Sequence, residues 1–152
     1  MKAVKSAVCV CLALMFCGVC VPAVATLGED AASVQADQAR MEATLEISGT
    51  QRFSLYRMRL PAGTVVSEYV SPAGMVFAIS WQGPVLPDLQ QLLGRHFDQY
   101  AVAVRPQEPG PAARSGEASG LVVQSRGHMR AFSGRAYLRQ MLPRGVLAEE
   151  IQ

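Results

Sequence analysis

The chain has 152 residues, half of them apolar, with 14 basic side chains against 12 acidic ones and four cysteines. At face value this describes one small, slightly basic domain with the means for disulfides. The cysteines mislead, because Cys9, Cys11, Cys17 and Cys20 all lie, with both lysines, in the first 25 residues.

That stretch has the order of a secretory leader. Lys2 and Lys5 form a positive start, Ala7 to Val21 is an apolar run, and Pro22 breaks any helix before Ala23-Val24-Ala25. Small residues at that point predict cleavage between Ala25 and Thr26, so residues 1–25 read as a signal peptide and 26–152 as one domain. The run is too short for a spanning helix, which needs about 20 apolar residues, and no membrane span is expected after cleavage. Within an apolar leader the cysteines act as small hydrophobes. The remaining chain has no Cys and no Lys, and it sets 12 Arg against 12 acids. Disulfides, a thiolate nucleophile and Cys-ligated zinc are thereby excluded from the mature domain.

Glu29 to about Ala43 holds good helix formers, with Glu29 and Asp30 in its first turn, and predicts an N-terminal helix. Arg52–Leu60, Thr64–Val70 and Met75–Trp81 read as strands, separated by Pro61-Ala62-Gly63 and Ser71-Pro72-Ala73-Gly74. Both breaks place Pro early and Gly late, so the simplest arrangement is a three-stranded antiparallel meander. Met75, Phe77, Ile79 and Trp81 alternate, which predicts one core-facing side. From Pro87-Asp88 onward, Leu89, Leu92, Leu93, His96, Phe97, Tyr100 and Val104 recur at helical intervals. They predict one amphipathic helix packed on the sheet, with Gly94 as a weak point. The Pro- and Gly-rich stretch at about 105–119 reads as a flexible loop. Leu121–Val123 and His128–Phe132 predict two strands joined at Arg126-Gly127. The fold class is α+β, an antiparallel sheet built on the meander with the amphipathic helix and the N-terminal helix.

Few residues can carry chemistry. His96 lies beside the apolar face of its helix and reads as a semi-buried, hydrogen-bonded structural histidine. His128, with Ser125 or Ser133, is the one weak catalytic constellation, and neither serine sits in a nucleophile elbow. No metal-ligand spacing, phosphate-binding glycine loop or dinucleotide motif is present, so no cofactor and no metal are expected. Charge is unevenly spread. Thr26–Gly49 carries five acids against Arg40, whereas the chain from Leu121 carries Arg126, Arg130, Arg135, Arg139 and Arg144 against Glu149 and Glu150. Guanidinium forks suit phosphate or carboxylate, so Arg126, Arg130, Arg135 and Arg139 are candidate anion-binding residues. The plainer expectation is that the two oppositely charged ends face each other. Tyr69, Trp81, Tyr100 and Tyr137 can line a surface, with Tyr69 and Trp81 the binding candidates.

Several stretches resemble a known family. Tyr69–Pro84, Pro87–Gly94 and Phe97–Tyr100 are similar to an exported proteobacterial family known only as domain of unknown function 2844. Gly120–Ser125, Gly127–Phe132, Gly134–Tyr137 and Gln140–Pro143 are similar to its C-terminal signature. The resemblance implies a Gram-negative, periplasmic or secreted protein and carries over no catalytic residue. At the level of fold alone, a helix followed by a strand–turn–strand meander resembles the periplasmic PepSY-type module. The functional expectation is a non-enzymatic binding or accessory module. Its partner would be a protein or an anionic ligand of the cell envelope, with no nucleic acid expected. A small hydrolase using His128 with Ser125 or Ser133 is the alternative.

Overall fold

A computed structural model of the chain describes residues 27–103, 113–118 and 120–152. The expected leader, its cleavage site and residues 104–112 and 119 of the expected loop lie outside the described residues. Helix α1 spans Ala32–Arg40, followed by strands β1 (Thr44–Gly49), β2 (Ser54–Arg59), β3 (Val65–Val70) and β4 (Val76–Gly83). Helices α2 (Leu89–Leu93) and α3 (Phe97–Ala103) come next, then β5 (Ala113–Ala118), β6 (Leu121–His128) and β7 (Ala131–Leu138). All seven strands form one antiparallel sheet in the order β1-β2-β3-β4-β7-β6-β5. The α+β class and the meander β2–β4 stand as expected, closed by turns in which Gly63 and Gly74 take positive φ.

The meander is longer than the sequence predicted, because β1 precedes it as an edge strand. Its Leu45 and Ile47 lie on the helix-covered side of the sheet, but Ile47 is 58% exposed, so it carries little burial signal. The N-terminal helix is shorter than Glu29–Ala43. Asp30 stands outside it as a cap, its Oδ1 accepting from the Ala32 N–H at 2.9 Å and the Ser33 N–H at 3.3 Å.

One face of the sheet is covered by the helices. Val34 of α1 and Leu89, Leu92 and Leu93 of α2 pack with Met58, Val66, Ile79, Trp81, Val123 and Ala136. The single helix expected over Leu89–Val104 is broken. Asp88 caps α2 by accepting from the Gln91 N–H at 3.0 Å, and Gly94, at φ +47°, ends it. A 3₁₀ turn over Gly94–His96 then leads into α3. Phe77 does not share the face of Ile79 and Trp81. The register slips between Tyr69 and Val70, so that Ala78 pairs with Tyr69 and Val76 with Val70. Phe77 is the extra residue of this bulge and packs on the opposite side, among Tyr69, Val122 and Tyr137. The C-terminal hairpin also turns later than predicted, at Met129-Arg130, with Arg130 at φ +66°. Arg126 and Gly127 belong to β6. Part of the expected loop, Ala113–Ala118, is β5.

The second face is closed by the C-terminal tail, residues 143–152. Val146 and Ile151 are buried in a cluster with Tyr69, Phe77, Ala78, Val122 and Tyr137. Phe53, Tyr69 and Phe77 form an aromatic triad with ring centroids 5.5–6.2 Å apart. Polar groups tie the tail down. Tyr69 Oη donates to the Gln152 main-chain oxygen at 2.8 Å and accepts from the Gln152 N–H at 2.9 Å. Ser80 Oγ donates to the same oxygen at 2.7 Å. Arg52 forms a two-pronged pair with Glu150, at 2.7 and 2.9 Å. The Leu147 N–H, and then Arg52, hold the Glu150 carboxyl below the usual carboxylate range.

Under α1 lies an unusual pair. Glu68 of β3 and Asp37 of α1 are both fully buried, and Gln91 Nε2 of α2 donates to Asp37 Oδ1 at 2.6 Å. Burial, reinforced by the Asp37 carboxyl, pushes the Glu68 carboxyl up to about 8. The folded chain therefore keeps Glu68 protonated where the unfolded chain ionises it. The resulting stability is complete below the ordinary carboxylate range and is lost as pH rises towards 8. Chemical denaturation of the wild type should lose roughly 2–4 kcal/mol of stability between about pH 5 and pH 8 beyond any loss shown by Glu68→Gln. Identical pH slopes for the two proteins would contradict this.

Candidate functional site

The antiparallel register assigns every side chain of the second face to a row. Leu55, Tyr69, Ala78, Tyr137 and Val122 form an apolar row that lies under the tail. The next row is Arg57, Ser67, Ser80, Arg135 and Gln124, and beyond it comes Arg59, Val65, Gln82, Ser133 and Arg126. The face thus changes from apolar to polar along the strands, and the tail covers the apolar part together with the middle of the first polar row, where Ser67 and Ser80 are buried.

Where the tail stops, a cleft of about 250 Å³ opens over β4, β7 and β6. Gln82, Gln124, Arg126, Ser133 and Arg135 line it, and Gln152 forms its border towards the tail. Arg135 is fixed from three directions. Its Nε donates to Gln124 Oε1 at 2.8 Å, and its Nη1 donates to the main-chain oxygens of Ala148 and, at 3.3 Å, Ile151. Its Nη2 keeps its donors unspent among the described residues. Arg126 is exposed, and its guanidinium has no ion pair or hydrogen bond among the described residues. The cleft therefore joins one oriented guanidinium to one exposed guanidinium, with amides and a hydroxyl between them. Two such forks suit a carboxylate or a phosphate.

Trp81 and Gly134 supply the floor. The indole lies across Gly134 on the helix-covered side. A Cβ at residue 134 would sit 2.3 Å from Trp81 Cζ2 and 2.6 Å from the Gln124 main-chain oxygen. Only glycine lets β7 and the indole approach this closely.

The structure brings together Arg126, Arg135 and Ser133 of the residues singled out in the sequence. Arg130 sits in the hairpin turn and Arg139 in a 3₁₀ turn, and neither lines the cleft. Tyr69 and Tyr137 are buried instead of lining a surface, the Tyr69 hydroxyl is spent on Gln152, and Trp81, also buried, meets the cleft only at its floor. His128 is exposed at the end of β6 and pairs with Ala131 across the turn. Ser125 lies on the opposite side of the sheet from His128 and Ser133, and no hydrogen bond joins His128 to either serine among the described residues. His96 is half-buried as expected, but neither ring nitrogen has a hydrogen-bond partner among the described residues. Burial holds its imidazole below the usual range.

Among the described residues two ion pairs, Arg52–Glu150 and Arg95–Glu29, the latter at 3.6 Å, engage acids of the two ends, and neither joins the acidic start to the arginine-bearing end. The described residues contain no cluster of metal-ligating side chains and no helix long and apolar enough to cross a membrane. Gln82, Gln124, Arg57 and Arg59 escaped the sequence reading. Their signal is positional, the odd or even register across four strands, and it appears only once the pairing is known.

The model of a family described as protein of unknown function DUF2844 matches residues 23–151. The chain belongs to this family. No curated protein and no solved structure matches the chain. The family match takes in every lining residue of the cleft except Gln152.

Gly134→Ala should destabilise the fold by about 2–4 kcal/mol in urea denaturation, since neither the indole nor the Gln124 carbonyl can retreat without opening the core. A loss below about 0.5 kcal/mol would show that the floor is loosely packed.

Proposed function

We propose that this protein is an exported, non-enzymatic binding module of the Gram-negative cell envelope, periplasmic or secreted, whose ligand presents a carboxylate or phosphate to the cleft of Arg126 and Arg135. One observation carries the reading: two guanidiniums from neighbouring strands converge on a cleft with Gln82, Gln124 and Ser133 but no acidic side chain among the described lining residues. An anion entering there gains the free Nη2 of Arg135, already oriented, and draws Arg126 in from solvent. Orientation by the tail lowers the ordering cost of the first contact. Export is supported by the leader pattern of residues 1–25 and by a remaining chain without cysteine.

The catalytic alternative needs a nucleophile beside His128 and a group to orient that histidine. The exposed position of His128 offers no such arrangement, so binding is the better reading. Calorimetric titration of the protein with galacturonate and with inorganic phosphate at low ionic strength tests it. At least one should bind, more weakly as salt rises, and Arg126→Gln should weaken that binding about tenfold with the melting temperature unchanged. Absence of binding by both anions, or equal binding by the variant, would overturn the proposal.

A further inference from the structure

The arginines of the polar rows extend well beyond the cleft. Arg57 and Arg59 of β2 occupy the same two rows as Arg135 and Arg126, and both are exposed. With strands about 4.8 Å apart, Arg57 stands about 14 Å from Arg135 along its row, and Arg59 about 19 Å from Arg126 along the next. Between them lie Ser67, Ser80, Gln82 and Ser133. The acid on these rows among the described residues is Glu46, which pairs with Arg57 on edge strand β1 and so marks the far end. The tail covers the middle of the inner row, where Ser67 and Ser80 are buried and Ser80 bonds Gln152, so the open path runs from Arg57 and Arg59 past Val65, Gln82 and Ser133 to Arg126.

From this arrangement we propose that the belt is an extended subsite for an acidic polysaccharide, running across β2, β3, β4, β7 and β6 and ending in the cleft. The inference rests on the anion-binding reading of the cleft and adds the length and class of the ligand. A single small anion fills the cleft and leaves Arg57 and Arg59 unused. A chain of acidic sugars can place one carboxylate between Arg126 and Arg135 and another at Arg57 or Arg59. Its hydroxyls would meet the exposed amide of Gln82 and the hydroxyl of Ser133.

The same face argues against a nucleic acid. Its aromatic residues, Phe53, Tyr69, Phe77 and Tyr137, are packed in the half that the tail closes, so no ring is offered for base stacking. Contacts from exposed guanidiniums to a polyanion displace counterions, so affinity must fall steeply with salt and grow with the number of arginines engaged.

Binding of galacturonate, its trimer and its octamer to the intact protein, compared with the Arg57→Gln/Arg59→Gln variant, decides the matter. The octamer should bind the wild type about tenfold or more tighter than the trimer. The double variant should lose most of that gain while binding the monomer as the wild type does. Both substitutions are at exposed strand positions, and unchanged melting would confirm an intact fold. An octamer gain that survives in the double variant overturns the belt and leaves the cleft standing. Tighter binding of single-stranded DNA of equal charge overturns the polysaccharide class. If phosphate binds through Arg126 but no galacturonate of any length does, the belt fails alone. If no anion binds at all, both readings fail.

Discussion

A seven-stranded sheet has two faces to cover, and among the described residues helices cover only one of them. The constraint on which everything else depends is the clamp that holds residues 143–152 against the other face. Its contacts are largely from side chain to main chain: Tyr69 and Ser80 on Gln152, Arg135 on Ala148 and Ile151. They satisfy backbone groups that would otherwise lie unpaired beside an apolar surface. With those groups satisfied, Val146 and Ile151 can seal the aromatic triad. Arg135 has a double part in this. The bonds that fix the tail also fix its guanidinium at the edge of the cleft, so closing the core and preparing the site are one event.

The two faces solve the problem of buried polarity in opposite ways. On the helical side, Glu68 and Asp37 are enclosed with Gln91, at an electrostatic cost that the packing of α1 and α2 must offset. On the tail side, charges are kept at the rim. The tail reaches over the middle of the first polar row, while Arg57, Arg59 and Arg126 remain in water and Arg135 is bonded to Gln124 and to main-chain oxygens of the tail. The proposed anion site needs solvated cations near a rigid frame, and among the described residues the second face brings the two together.

Much of this architecture is legible in the amino-acid sequence, and the exceptions have physical causes. Strands β2–β4 stand out because Pro-Ala-Gly and Ser-Pro-Ala-Gly breaks punctuate β-branched and aromatic runs. The weak strand β1 does not, since an edge strand with Ile47 exposed lacks a burial pattern. Phe77 misleads because a bulge shifts the period by one residue without any glycine or proline to announce it. The helix from Leu89 keeps its apolar stripe straight through Gly94, and only the positive φ there reveals the break. Arg126 and Arg135 are visible as candidates, whereas Arg57 and Arg59 join the proposed site only through strand order, which pairs β7 with β4 across a long excursion in the chain. Tail residues 143–152 show no periodicity at all. Their role depends on long-range hydrogen bonds that no local pattern encodes.

The clamp is therefore the claim most exposed to test, and amide hydrogen exchange of the intact protein addresses it directly. Five tail amides, those of Val146, Leu147, Glu150, Ile151 and Gln152, donate hydrogen bonds in the structure, and the last of them reaches Tyr69. A clamped tail should protect the Ile151 and Gln152 amides nearly as strongly as those of β3 and β4. Exchange of both at the rate of an open chain, with the sheet still protected, would contradict the account.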